Sequence, residues 1–170
     1  MNPQTIIRQL EVNAQVFAAL FNGIEDEQAR WKPSPEEWSV LEVAGHLFDE
    51  EREDFRQRVD FILHRPADAW PPIHPGTWVT ERAYNTRDFG KSVMDFLSER
   101  TQSLRWLDAL AAPNWAQSHT REGMTMTALD MLAAWLAHDY LHLRQVNELK
   151  WKWLARTSGE MPLEYAGGWE

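Results

Sequence analysis

Apolar residues recur in steps of three and four along four stretches of the chain, and each stretch predicts an amphipathic helix. Ile6, Leu10, Ala14, Phe17, Phe21 and Ile24 trace the first, from about residue 3 to 22, with Gly23 as its stop. Ser39, with Glu42 three residues on, reads as a capping box that opens a second helix. Its apolar positions are Val43, Leu47, Phe48, Phe55, Val59 and Ile62, and it runs to about His64. Asp88 caps a third, faced by Phe89, Val93, Phe96, Leu97, Leu104, Leu107 and Leu110, which ends around Ala112 because Pro113 follows. Thr127 and Asp130 resemble a capping box for a fourth, whose stripe is Leu132, Trp135, Asp139, His142, Val146, Leu149 and Trp153. That helix is expected to last to about Trp153.

Between the helices the pattern breaks. Trp31-Lys-Pro-Ser-Pro is a connector, since two prolines disfavour a continued helix. Residues 65–86 hold Pro66, Trp70, Pro71, Pro72, Pro75, Gly76 and Trp78, which predicts a long loop over most of the segment. A loop that long in a compact domain is usually functional or mobile. Asn114 to Met126 is read as a second connector with His119 exposed on it, and the tail from about residue 155 as irregular. No stretch alternates with period two, so no strand is expected. Four helices without strands predict one all-α domain over residues 1–170, a four-helix bundle.

Composition narrows the function. Seventeen Lys and Arg against twenty-six Asp and Glu give a formal net charge of −9. Nucleic-acid binding needs a positive surface to displace counterions from phosphates, so no nucleic-acid partner is expected. The absence of cysteine excludes disulfides, thiolate metal sites and cysteine nucleophiles, and fits a cytoplasmic protein. Met1-Asn-Pro-Gln-Thr-Ile-Ile-Arg has no basic segment leading into an apolar one, so no signal peptide is expected. The run Met131 to Ala137 is far below the roughly 20 residues a membrane span requires. Ten tryptophans are many for the length and are assigned chiefly to core packing.

The chemistry centres on His138-Asp-Tyr-Leu-His142. Two histidines at i and i+4 lie one above the other on a helix, half of a possible chelate. His142 sits on the buried stripe, where an imidazole must find a partner. His46, on the second helix, would make a third ligand and leave a coordination position open, as catalytic metal sites do. Asp49 and Glu50 follow His46 by one turn, and Glu50 is the candidate general base or orienting carboxylate. A di-iron bundle needs paired Glu-x-x-His motifs and a zincin needs His-Glu-x-x-His; neither is present. On the residues alone, three buried histidines satisfied by hydrogen bonds to Asp49 or Asp139 remain an alternative.

Pro35-Glu-Glu-Trp-Ser-Val-Leu-Glu-Val-Ala-Gly-His46-Leu, then Gly123-Met-Thr-Met-Thr and His138-Asp-Tyr-Leu-His142-Leu-Arg-Gln, resembles the DinB-like (YfiT-like) superfamily from the first helix to about residue 153. His138 lies 92 positions after His46, the gap that pattern expects. The resemblance implies an up-down-down-up four-helix bundle, often homodimeric, holding a divalent metal on His46, His138 and His142. Zn or Ni is the first expectation for the ion, with Fe or Mn next. The resemblance further implies a thiol-dependent S-transferase or hydrolase acting on a small molecule, with a low-molecular-weight thiol as possible co-substrate. The related sulfoxide synthases carry His-x-x-x-His-x-Glu, from which Arg144 departs. A non-catalytic stress-response or ligand-binding protein with a vestigial or structural metal is the alternative from a different class.

Overall fold

The computed structural model describes residues 2–169. Its long helices are α1 (Pro3–Phe21), α3 (Val40–Glu50) continued by a π-helical turn (Glu51–Phe55) and α4 (Arg56–His64), α6 (Phe89–Ala109) and α7 (Ala128–Thr157). The capping signals are built as read: both capping boxes form, Ser39 with Glu42 and Thr127 with Asp130, and Asp88 accepts from the Lys91 amide. α1 packs on α6 and α7, α3 on α6, and α4 on α7. Two apolar clusters fill the space between them. One joins Ile6, Leu10, Val59, Ile62, Leu132 and Trp135, the other Phe17, Phe21, Val43, Leu47, Phe96 and Val146. Among the described residues, no helix is long and apolar enough to cross a membrane.

Several connectors carry more structure than their composition predicts. Residues Asp26–Arg30 form a short helix, α2, and the Pro/Trp-rich segment contains α5 (Pro75–Glu81) and a 3-10 turn at Tyr84–Thr86. Pro75 sits at the start of α5, where its missing N–H is not needed, so the proline begins this helix instead of breaking one. Tertiary contacts then fix the segment to α3. Tyr84 Oη donates to Asp49 Oδ2 (2.6 Å), and Arg82 pairs with Asp49 (2.7 Å) and Glu53 (2.8 Å). The Tyr84 ring lies so close to Gly45 that a Cβ there would stand 2.8 Å from its Cγ.

The expectation of no strand is corrected. Ser118–Arg121 (β1) and Met124–Thr127 (β2) pair antiparallel through a two-residue Glu122-Gly123 turn. Both turn residues have positive φ, 52° and 82°, as a type I′ turn requires. His119 is buried, not exposed: its ring stacks on Trp70 at 4.6 Å, and its Nδ1 is 2.9 Å from the Pro66 carbonyl. The hairpin is thereby fastened to the 65–86 segment.

Polar contacts also hold the middle of the bundle. The guanidinium of Arg100, 1% exposed, donates to Glu51 Oε1 (2.7 Å), to both oxygens of Asp139 (2.7 and 2.8 Å) and to the Leu10 carbonyl (3.1 Å). Trp135 Nε1 donates to the other oxygen of Glu51 (3.0 Å), and Asn13 Nδ2 to Asp139 (3.1 Å). Asn13 therefore occupies the inward position on α1 beside the half-buried Ala14. Removing the cation leaves two buried carboxylates unpaired, which typically costs about 3–5 kcal/mol. Arg100→Met should therefore lower unfolding stability in urea by an amount in that range. A loss below about 1 kcal/mol would show that this network contributes little.

Candidate metal centre

His46 is positioned by α3, and His138 and His142 by successive turns of α7. The three rings meet at their Nε2 atoms. His46 Nε2 is 3.1 Å from His138 Nε2, and His142 Nε2 is 3.0 Å from the same atom. The three can offer one ligand atom each, all within 4.8 Å of one another. Two nitrogens bound to one tetrahedral ion at 2.0–2.1 Å would stand roughly 3.3 Å apart. The spacing fits.

Hydrogen bonding alone accounts poorly for it. Each ring nitrogen offers one N–H or one in-plane lone pair. His142 Nδ1 faces Gln145 Oε1 at 2.7 Å, and an amide oxygen only accepts, so the proton sits on Nδ1 and the Nε2 lone pair points at His138. The single site on His138 Nε2 cannot serve both neighbours well. A cation shared by three lone pairs removes that conflict. Gln145 is thus an orienting residue within the quoted His-x-x-x-His-x-x-Gln stretch, although its role was not read from the sequence.

The surroundings are apolar and close. Trp38 lies 4.8 Å from the His46 ring and parallel to that of His142 at 6.3 Å, while Phe55 lies 4.9 Å from His138. Burial drives the His46 imidazole down to about 3, with His142 adding repulsion. His138 falls to about 2 for the same reason, with His142, His46 and Arg100 adding to it, and His142 is also lowered by burial. All three are therefore neutral at pH 7, the form that binds metal. The π-helical turn begins five residues after His46. It points Glu51 toward Arg100 and Trp135 and sets Phe55 against His138, and such wide turns recur at functional sites.

Of the carboxylates read from the sequence, none ligates within the cluster. Asp49 is committed to Tyr84 and Arg82, and Asp139 to Arg100 and Asn13. Glu50 is buried one turn beyond His46, outside the histidine set, and its Oε1 has no hydrogen-bond partner among the described residues. Burial first, and then the Asp54 carboxylate beside it, push it up to about 8, so it holds a proton at neutral pH. Trp38, Phe55 and Glu51 complete the surroundings, although the sequence assigned none of them to the site: the aromatics read as core, and Glu51, buried here, read as part of a solvated face. Trp38 stood in the quoted Glu-Glu-Trp-Ser stretch, the other two on the helix of His46.

A family model of the DinB superfamily matches residues 9–146. The chain belongs to the DinB superfamily. The fold of this DinB-superfamily protein is similar to that of YfiT from Bacillus subtilis, with a TM-score of 0.75 over 86% of this chain and 85% of that one at 19% identity. YfiT is described as "a probable metal-dependent hydrolase with an unusual four-helix bundle topology". No curated protein matches the chain.

Neutral buried histidines have a consequence for pH. The unfolded chain protonates them near pH 6.5, whereas the metal-free fold resists until about pH 3 at His46. Their stabilisation is thus complete above about 6.5 and lost as pH falls toward 3, at up to about 1.4 kcal/mol per unit for each histidine. Urea titrations of metal-free protein at pH 7 and pH 5 should show this loss, and His46→Phe should flatten it. Equal slopes in the two proteins would show that His46 protonates freely in the fold.

Proposed function

We propose that this protein is a divalent-metal-dependent enzyme acting on a small molecule, with His46, His138 and His142 as the metal ligands. The observation that carries the reading is the gathering of three imidazole nitrogens from two helices within 4.8 Å of one another. Family membership and the likeness to YfiT support it. Three protein nitrogens leave room for a further ligand, the arrangement of catalytic metal. The reaction we assign is hydrolysis or thiol-dependent S-transfer. With no cysteine in the chain, the thiol of a transferase reaction arrives as a substrate.

A divalent ion bound here supplies Lewis acidity toward an electrophile or an incoming nucleophile. The chain's own side chains do the rest. Gln145 fixes the tautomer of His142, while Trp38 and Phe55 pack against the imidazoles and limit water around them. Glu50 holds a proton below about pH 8 and is the group we assign to deliver it to a leaving atom, one turn along α3 from His46.

Metal analysis tests the ligand set. Purified protein should carry close to one equivalent of metal, and His46→Ala and His142→Ala should carry little; equal contents in all three would end the reading. Glu50→Gln should keep the metal and lower turnover by about 10²-fold in a metal-supplemented assay of thiol conjugation or ester hydrolysis. It should also abolish the activity decline above about pH 8. An unchanged pH profile would remove Glu50 from the chemistry.

A further inference from the structure

One indole covers two of the three imidazoles. Trp38 lies 4.8 Å from the His46 ring and parallel to His142 at 6.3 Å, and it walls the cleft of about 340 Å³ that reaches His142. His46 and His142 are only 6% and 8% exposed. With both rings so covered, a small molecule engages them only when part of the cover moves. Trp38 in turn packs against Trp78, Val79 and Tyr84 of the 65–86 segment. The position of that cluster therefore bears on access to the histidines.

Four consecutive residues fasten the cluster. Arg82 and Tyr84 converge on one oxygen, Asp49 Oδ2, at 2.7 and 2.6 Å, and the Arg82 guanidinium also lies 4.0 Å over the Trp78 ring. Asn85 Oδ1 accepts from Ser39 Oγ (2.8 Å), the residue after Trp38, and Asn85 exchanges two hydrogen bonds with Arg30 (2.7 and 3.1 Å). Between the two grips on Asp49, Ala83 has φ 48° and ψ 48°. A residue with a Cβ adopts that left-handed conformation at a cost, and keeps it only where its surroundings over-determine it. Here the flanking contacts to Asp49 do so. Letting go of Asp49 relieves Ala83 and loosens the packing behind Trp38 in the same movement.

We propose that residues 82–85 are a latch on the histidine centre. While Tyr84 and Arg82 grip Asp49, the Trp78–Tyr84 cluster keeps Trp38 on the imidazoles; local release of the grip opens the centre to a small molecule. The latch regulates access to the site of the metal-enzyme reading and takes its catalytic meaning from that reading, but its opening requires no ion. Tyr84 and Arg82 act through Trp38 and are positioning residues.

Tyr84→Phe tests the latch, since it keeps the ring against Gly45 and removes only the hydroxyl that donates to Asp49. Metal-stripped full-length protein is treated with diethyl pyrocarbonate, which acylates neutral imidazole, and peptide mass spectrometry gives the rate at each histidine. His46 and His142 should react about tenfold faster in the variant, the effect of losing a hydrogen bond to a buried carboxylate on a local opening. His119 is the internal control: it is buried too, but stacked on Trp70 and held at the Pro66 carbonyl. Its rate, and that of exposed His64, should not change. Arg82→Gln releases Asp49 from the other grip, should give the same pattern, and decides the matter if Tyr84→Phe does not fold. Unchanged rates at His46 and His142, or equal acceleration at His119, would overturn the latch. In zinc-loaded protein, Tyr84→Phe should surrender zinc to excess chelator about tenfold faster at unchanged stoichiometry. Protein that shows the acylation change but takes up no zinc refutes the enzyme alone, and zinc-binding protein whose histidines react alike in both forms refutes the latch alone.

Discussion

Arg100 is the tie on which the rest of the bundle depends. Its guanidinium joins Glu51, which follows the helix of His46, to Asp139, which follows His138 directly in sequence. Both anionic partners are almost fully buried, so neither could tolerate losing the cation. The guanidinium fork fits two carboxylates in a fixed plane, which a lysine could not do. It therefore ties α7 at Asp139, the residue after His138, to Glu51, five residues beyond His46. Apolar packing could bring those helices together in several registers. The ion pair selects one.

This tie also explains which parts of the molecule the sequence disclosed. Apolar stripes and capping boxes are local, one residue every third or fourth place, and α1, α6, the start of α3 and the start of α7 all follow from them. Asn13 and Arg100 obeyed no such rule. A polar residue at an inward position is legible only once its partner is known, and here the partners lie 126 and 39 residues away. The hairpin failed to show for another reason. Its turn is Glu-Gly in place of the usual Asn-Gly, and its strands are four residues long. What holds it is the His119–Trp70 stack, a contact between two segments that each read as loop.

The candidate site divides in the same way. His46, His138 and His142 were legible because i,i+4 spacing and a fixed long-range gap form a pattern, and the structure brings their Nε2 atoms together. Glu50 was read by spacing too, but spacing conveys neither burial nor the nearness of Asp54. Those two circumstances, not the residue type, determine that it holds a proton at neutral pH instead of accepting one. Trp38 and Phe55 read from the sequence as ordinary core aromatics. Only their distances to the imidazoles give them a second role.

Gathering three neutral imidazoles beneath a tryptophan is unfavourable for a fold that leaves them unsatisfied. One nitrogen of His138 faces the Nε2 atoms of both other imidazoles, and its single site cannot satisfy both. An unpaired buried polar group of this kind typically costs about 1–3 kcal/mol. Such an arrangement persists only if neighbouring interactions over-determine it or a ligand relieves it, and both conditions point to the same place. The Arg100 network supplies the rigidity, and an ion shared by the three lone pairs would supply the relief. The strain is then the reverse side of affinity: a site already held open to a cation spends little on reorganisation when the cation arrives.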